Sequence, residues 1–324
     1  MLTKKIYNRQ NFLEEFGFEI EDNEYFLFKT SGSEGKQKNI LVKKNIFIEN
    51  LKLYVEKLGI SANQKVLITS KASVEHPYAF GLSLVIDNLI FYENIKDKIN
   101  EMTDADIIFS TPSFFINFKD FIKINKKQKI VFTGEEIPSQ LKEELIDFDI
   151  YQSFGMTECL NVGIKKLQDE GYRFLNSEMK IKDNYFYSPY LSSYVLEENN
   201  LKKIEEKYLL TDSIRTEDDC FYFLERGNDF AKINEEKISL KAINDFLFSI
   251  KEIKDLVVFK NKKNDFDQIN LFYVSSLNKK EIEDLIIKHF NNINYVPQKI
   301  YNVDYIPITN LGKKDISKLK NDYP

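Results

Sequence analysis

Up to about residue 155 the chain alternates short β-rich runs with stretches of helical spacing, and this alternation restricts its fold more than any other feature. The runs "EYFLFK", "KNILVKK", "QKVLITS", "ADIIFST", "QKIVFTG" and "DIYQSFG" read as strands, while residues 45–58, 112–124 and 138–147 repeat apolar side chains at helical intervals. Strand and helix in turn predict α/β layers around a sheet that is at least partly parallel. From about 172 to 226 the runs "NYFYSPY", "SSYVLEE", "KYLLTD" and "CFYFLER", separated by charged turns, predict an antiparallel β subdomain. After "RGNDF" come a helix ("SLKAINDFLFSI"), strands ("DLVVFK", "QINLFYVSS"), a second helix ("KKEIEDLIIKHF") and a strand ("QKIYNVDYI"), a small α+β module. The expected division is a large domain over 1–227 and a small one over 228–324, with the boundary near Asn228 and Asp229.

Composition removes several classes of function. A chain of 324 residues with 43% apolar and 30% charged content can bury a sizeable core and favours two domains. Its net charge of -5 comes from 46 basic and 51 acidic residues that are well interspersed, which speaks against a nucleic-acid face. Cys159, Cys220, His76 and His289 are the whole complement of cysteine and histidine, too few for a disulfide scaffold or a zinc cluster. The opening "MLTKKIYNRQNF" lacks the apolar core of a signal peptide, and no run of about eighteen apolar residues suggests a membrane span. A cytoplasmic, soluble protein is expected.

With only 11 glycines in the chain, Gly32, Gly35, Gly134, Gly155 and Gly312 draw notice because each ends a strand or sits in a short loop beside Thr, Ser, Glu or Lys. Singly each reads as a turn glycine; together they suggest backbone that a ligand approaches closely. The loop "TSGSEGKQK" is not a Walker phosphate loop, since its glycine spacing is wrong and no Ser or Thr follows its lysine. Thr30, Ser31 and Ser33 nevertheless offer hydroxyls beside the cations Lys36 and Lys38. On these residues alone, a phosphate grip and a surface linker are equally good readings.

The order of the remaining motifs separates those readings. "TSGSEGKQK" resembles the Thr/Ser/Gly-rich loop of the adenylate-forming superfamily of acyl- and aryl-CoA ligases, peptide-synthetase adenylation domains and luciferases. "FTGEEIP" resembles its Gly-Glu segment, "FGMTE" its aromatic-Gly-x-Thr-Glu motif and "LLTD" its ribose-binding Asp. "ERGNDFAKINEEKISL" and "PITNLGKKDISKL" resemble its hinge and its terminal Gly-Lys loop, so the series runs from residue 30 to 319. The resemblance implies that Thr30, Ser31, Gly32, Ser33, Gly35 and Lys38 grip the β- and γ-phosphates of ATP. Gly134, Glu135, Phe154 and Gly155 would line the nucleotide site, with Phe154 stacked on adenine. Thr157 and Glu158 would contact phosphate and Mg²⁺, which suits a hard cation and oxygen ligands. Asp212 and Arg226 would hold the ribose. Lys313 would be the catalytic cation of adenylation, and the C-terminal domain would be mobile, swinging about Asp229 to bring Lys232 to the site for thioester formation.

The resemblance also marks departures. Gln37 and Asn39 replace the usual Pro and Gly around Lys38, Glu225 replaces Gly before Arg226, and Leu210-Thr211 stand where Thr-Gly is common. Glu235 stands where CoA ligases carry a small glycine lining the pantetheine tunnel, so the thiol acceptor is either CoA or the phosphopantetheine of an acyl carrier protein. About thirty residues precede the phosphate loop, so the N-terminal lobe of many relatives is expected to be largely missing, unless a partner supplies it. The segment "SVEHPYAFGL" lacks the Asp of amino-acid-activating relatives and favours a fatty or aromatic acid. His76 or Tyr78 would occupy the gate position, with Gly81 beside the acid pocket; a core-packed His76 is an equal reading, and Glu75 keeps an amino acid substrate open. Phe132 to Glu135 would line that pocket. The rivals are a non-catalytic nucleotide- or acyl-adenylate-binding member of the fold, and an unrelated scaffold.

Overall fold

The computed structural model describes residues 24–30, 38–69, 81–82, 84–91, 95–118, 120–197, 200–210, 213–225, 230–263, 266–309 and 312–323. The first strands are β1 (Tyr25–Lys29), β2 (Asn39–Lys43), β3 (Val66–Ile68), β4 (Leu89–Phe91), β5 (Ile107–Ser110), β6 (Lys129–Thr133), β7 (Asp149–Met156), β8 (Leu160–Lys166) and β9 (Tyr172–Phe174). In a nine-stranded sheet β4, β3, β5, β6 and β7 lie parallel in that order. The sheet continues antiparallel through β8, β9, Cys220–Glu225 and Ser213–Glu217. β3 and β5 are buried at every position, as parallel strands covered on both faces must be.

The helix Lys44–Lys57 buries Phe47, Asn50, Leu51 and Tyr54, one stripe at helical spacing. Asn50 is a polar residue inside that stripe and is fully satisfied: its Nδ2 donates to the Asn161 carbonyl at 2.9 Å, and its Oδ1 accepts from the Asn161 amide at 3.0 Å. The pair locks the helix to β8 just beyond the turn that carries Thr157 and Glu158.

Two expected helices are shorter than their apolar pattern. Residues 112–124 yield Pro112–Phe118, after which Phe121 is left exposed and Gln128 organises the loop by donating to the carbonyls of Met102 and Ala105. Residues 138–147 yield Ser139–Glu144. The strands expected as one antiparallel subdomain between 172 and 226 are shared among three sheets. Lys180–Lys182, Tyr185–Tyr187 and Lys207–Leu209 pair together, whereas Tyr194–Glu197 and Asn200–Lys203 extend the β1–β2 hairpin. Local runs do not specify their partners, and here tertiary pairing redistributed them.

From residue 230 onward a hairpin (Phe230–Ile233, Glu236–Ser239) leads into helix Leu240–Phe248, whose first turn is capped by the Ser239 hydroxyl. Strands Ile253–Lys263, Phe266–Ser275 and Lys299–Asn302 form a separate sheet, the last pairing in parallel through helix Lys279–Phe290. That helix starts in a capping box between Asn278 and Glu281. Ile238, Ile243, Leu247, Leu256, Leu271, Ile282 and Ile286 make this region's core. Ile116, from helix 112–118, packs against both this core and the cluster under the large sheet. Among the described residues no helix is long and apolar enough to cross a membrane.

Candidate active site

The carboxyl ends of the parallel strands converge on one edge, where open α/β sheets bind their ligands. Thr69 directly follows β3 and Ser110 ends β5; their hydroxyls lie 2.8 Å apart and buried. β5 runs directly into Thr111-Pro112, a helix start with proline at the first helical position. The Thr111 hydroxyl accepts from the Phe114 amide at 3.2 Å and donates to the Gly312 carbonyl at 2.5 Å. One side chain thus caps a helix of the large sheet and holds the Gly-Lys loop.

β6 ends at Thr133, followed by Gly134 with φ +84 and Glu135. A Cβ at Gly134 would lie 2.7 Å from the Cε of Lys313, so the missing side chain is the space through which Lys313 passes. The Glu135 carboxylate accepts from the Ser113 amide at 3.1 Å and, with its other oxygen, from the Lys314 amide at 3.2 Å. Its carbonyl accepts from Gln152 Nε2 at 2.9 Å, tying the end of β6 to β7. Glu136 joins Lys241 of helix 240–248 at 2.9 Å. In both groups burial opposes ionisation, yet the charge and hydrogen bond of the partner outweigh it, leaving Glu136 below and Lys241 above its ordinary value.

The Gly-Lys loop is itself folded. Ile308 and Lys314 form an antiparallel bridge, the Thr309 amide donates to the Lys313 carbonyl at 2.7 Å, and the Gly312 amide to the Thr309 carbonyl at 2.9 Å. Gly312, at φ +78, brings its α-carbon side against Thr111.

β7 ends in Phe154-Gly155-Met156 and turns through Thr157 and Glu158. Ser192 secures that turn, its hydroxyl donating to the Thr157 carbonyl at 2.6 Å and its amide to the Glu158 carbonyl at 3.0 Å. Glu158 is buried, with Oε1 accepting from the Tyr208 hydroxyl at 3.3 Å. Burial, and then the Glu158 charge, push the neighbouring Cys159 thiol well above its ordinary range, so it is a packing residue and not a nucleophile.

No protein-family model matches the chain. Among curated proteins it is similar to the 2-succinylbenzoate–CoA ligase of Lactococcus lactis subsp. lactis (strain IL1403), 23% identical over 320 residues that cover 89% of this chain and 68% of that protein. Among solved structures, ATP-bound MatB from Rhodopseudomonas palustris superposes with a TM-score of 0.71 at 14% identity, over 92% of this chain and 67% of its own. A benzoate CoA ligase from Burkholderia xenovorans LB400 gives 0.69 at 16%, over 93% and 69%. The chain thus shares the fold of these adenylate-forming ligases and is similar in sequence to CoA ligases.

The remaining expected positions fall in different places. Thr30 and Lys38 close the base of the segment expected to grip phosphates: the Thr30 amide donates to the Lys38 carbonyl, and the Lys38 amide to the Thr30 hydroxyl, each at 3.0 Å. Ser31, Gly32, Ser33, Gly35, His76, Tyr78, Asp212, Arg226 and Asp229 lie outside the described residues. Phe154 is half-buried in an aromatic group, its ring centroid 4.4 Å from Phe223 and 5.7 Å from Phe221. Gly81 is buried against helix 44–57, where an added Cβ would lie 2.6 Å from Phe47 Cζ; packing accounts for this glycine. Lys232 is exposed on its hairpin, and its amide donates to Asp267 at 2.8 Å.

Sequence reading missed Thr111, Glu136, Lys241 and the side-chain role of Lys314. For Thr111 a signal existed in "STPSF", a hydroxyl residue directly before a helix-starting proline. The others act between segments more than a hundred residues apart, or through burial, which no local pattern carries.

Proposed function

We propose that the protein activates a carboxylic acid with ATP as an acyl-adenylate, releasing pyrophosphate, and then transfers the acyl group to a thiol. The observation that carries this reading is the seating of Gly312 and Lys313 on the carboxyl ends of β5 and β6, through Thr111, Gly134 and Glu135. A carboxylate oxygen attacks the α-phosphorus, and the bond to the pyrophosphate oxygen breaks. Negative charge accumulates on both groups, and the Lys313 ammonium is the cation this chain delivers to them. Thr30 and Lys38 hold the ends of the loop that would grip the phosphates, and Phe154 would stack on the base.

Glu158 and the Thr157 hydroxyl fit Mg²⁺ as a pair of hard oxygen donors. The described residues hold no cluster of three or more metal-ligating side chains, so the ion would be shared with ATP phosphates and water, as Mg²⁺ normally is. When bound it neutralises phosphate charge. The division into an ATP- and acid-binding domain and a mobile C-terminal domain, pivoting at Asp229, belongs to the same reading. So do an aromatic or fatty acid as substrate, a cytoplasmic setting, and CoA or a carrier-protein phosphopantetheine as acceptor. The curated relative's name, 2-succinylbenzoate–CoA ligase, favours an aromatic acid and CoA.

The test is acid-dependent ATP–pyrophosphate exchange across fatty, aromatic and amino acids. Exchange with one class, reduced at least about 100-fold in Lys313→Ala, is the expected result. Exchange unaffected by that substitution would remove Lys313 from the chemistry, and silence across the panel with retained ATP binding would favour a non-catalytic binding protein.

A further inference from the structure

Lys314 is gripped from two sides. Its backbone amide reaches the large sheet at Glu135, while its side chain turns the other way, into the C-terminal core. There Nζ lies 2.9 Å from Asp255 Oδ1, donates to the Leu256 carbonyl and stands 4.9 Å from the centre of the Phe248 ring. Only 15% of the Lys314 side chain and 7% of that of Asp255 are exposed. A lysine beside a solvated site ordinarily extends its ammonium into water; this one is withdrawn from it.

Asp255 is built for the contact. It lies where the pairing of strands 253–263 and 266–275 slips, between Ile253 and Asp255, and its Oδ1 also accepts from the Leu256 amide at 2.8 Å. Its Oδ2 is buried without a hydrogen-bond partner, so Lys314 supplies the counter-charge for a carboxylate that is otherwise poorly solvated.

We propose that the Lys314–Asp255 ion pair is a positioning device for Lys313. With Lys314 drawn into the C-terminal core, the adjacent Lys313 is turned outward, over Gly134. Both partners lie between residues 230 and 323, so the pair stays intact when the contacts to Thr111 and Glu135 open, and Lys313 remains set for the next closure. This inference rests on the adenylating role given to Lys313.

The test uses the full chain with Lys314→Met, Asp255→Asn and the double variant Lys314→Met/Asp255→Leu. Three experiments are run: kcat and KM for ATP in pyrophosphate exchange, thioester formation from supplied acyl-adenylate, and the rate at which an amine-acylating reagent modifies Lys313, read by peptide mass spectrometry. Lys314→Met is expected to lower kcat for exchange about 100-fold with KM for ATP nearly unchanged, to spare thioester formation and to speed Lys313 modification several-fold. The double variant removes the unpaired carboxylate and is expected to recover Tm without recovering exchange, which a purely structural pair would not do. If Lys314→Met fails to fold, Asp255→Asn and the double variant carry the same comparison. Wild-type exchange and unchanged Lys313 modification in the variants would overturn the proposal. Wild-type protein silent with every acid would overturn the adenylation reading instead, and the modification rates would still decide the orientation of Lys313.

Discussion

The hydroxyl of Thr111 donates to the carbonyl of Gly312 across 201 positions of sequence, at 2.5 Å and in a buried setting. It also caps helix 112–118, so Thr111→Val removes a helix cap and a contact to the Gly-Lys loop at once. The cap loss costs about 1 kcal/mol, visible as a lower Tm. Pyrophosphate exchange is expected to fall while thioester formation from supplied adenylate is spared. Equal loss of both steps would mean that Thr111 serves stability alone.

Gly134 admits Lys313 by having no side chain. In Gly134→Ala the new methyl meets Lys313 Cε at a distance no real contact adopts, and φ +84 adds backbone strain of about 1–2 kcal/mol. Exchange is expected to drop about 100-fold through misplacement of the lysine, whereas Gly134→Ala combined with Lys313→Ala adds little to the loss from Lys313→Ala alone. Additive losses in this cycle would place the damage elsewhere.

Much of the fold could be read from the chain because buried parallel strands carry continuous apolar runs: "VLI" and "IIFS" are buried at every position. Helix 279–290 was legible to the residue, since its amphipathic stripe and its Asn278–Glu281 capping box agree. Helix 95–102 and the terminal helix 316–322 were missed, being short and crowded with charge. Among site residues, Gly134, Glu135 and Lys313 were visible as motif positions, but the passage of Lys313 over Gly134 was not, because it joins segments far apart in the chain. The hairpin at Asp183-Asn184 has residues that tolerate positive φ, whereas the turn at Asn234-Glu235 hides behind a glutamate, which seldom adopts it.

The Glu136–Lys241 ion pair ties the segment after β6 to helix 240–248, and its contribution depends on pH and salt. Glu136, held below its ordinary 4.5, contributes at pH above that value and loses its contribution as pH falls through its lowered value. Lys241, held above 10.5, contributes below that pH and fails as pH rises through its raised value. Between these limits the link is constant and, being partly exposed, is worth about 0–1 kcal/mol. Glu136→Gln and Lys241→Met are therefore expected to weaken exchange only a few-fold, with a coupling that fades in high salt. A coupling indifferent to salt would assign the effect to packing.

Asn234 and Glu235 form the two-residue turn of the hairpin 230–239 with φ +49 and +68, the left-handed region that suits Asn but not Glu. A polar clamp holds the strained turn. Asn234 donates to Asn294 at 2.8 Å, while the Glu236 carboxylate accepts from Asn294 at 2.7 Å and Asn292 at 2.8 Å. These two amide hydrogen bonds also keep Glu236 below its ordinary range. Glu235→Gly relieves the backbone strain and is expected to stabilise the chain by about 1 kcal/mol, checked by thermal unfolding. Because Glu235 is exposed and outside the Lys313 contacts, exchange should be unchanged. If the turn also faces the acceptor thiol, transfer to free CoA will rise in the same variant while exchange does not; a raised Tm with unchanged transfer would place the thiol's approach elsewhere on the domain.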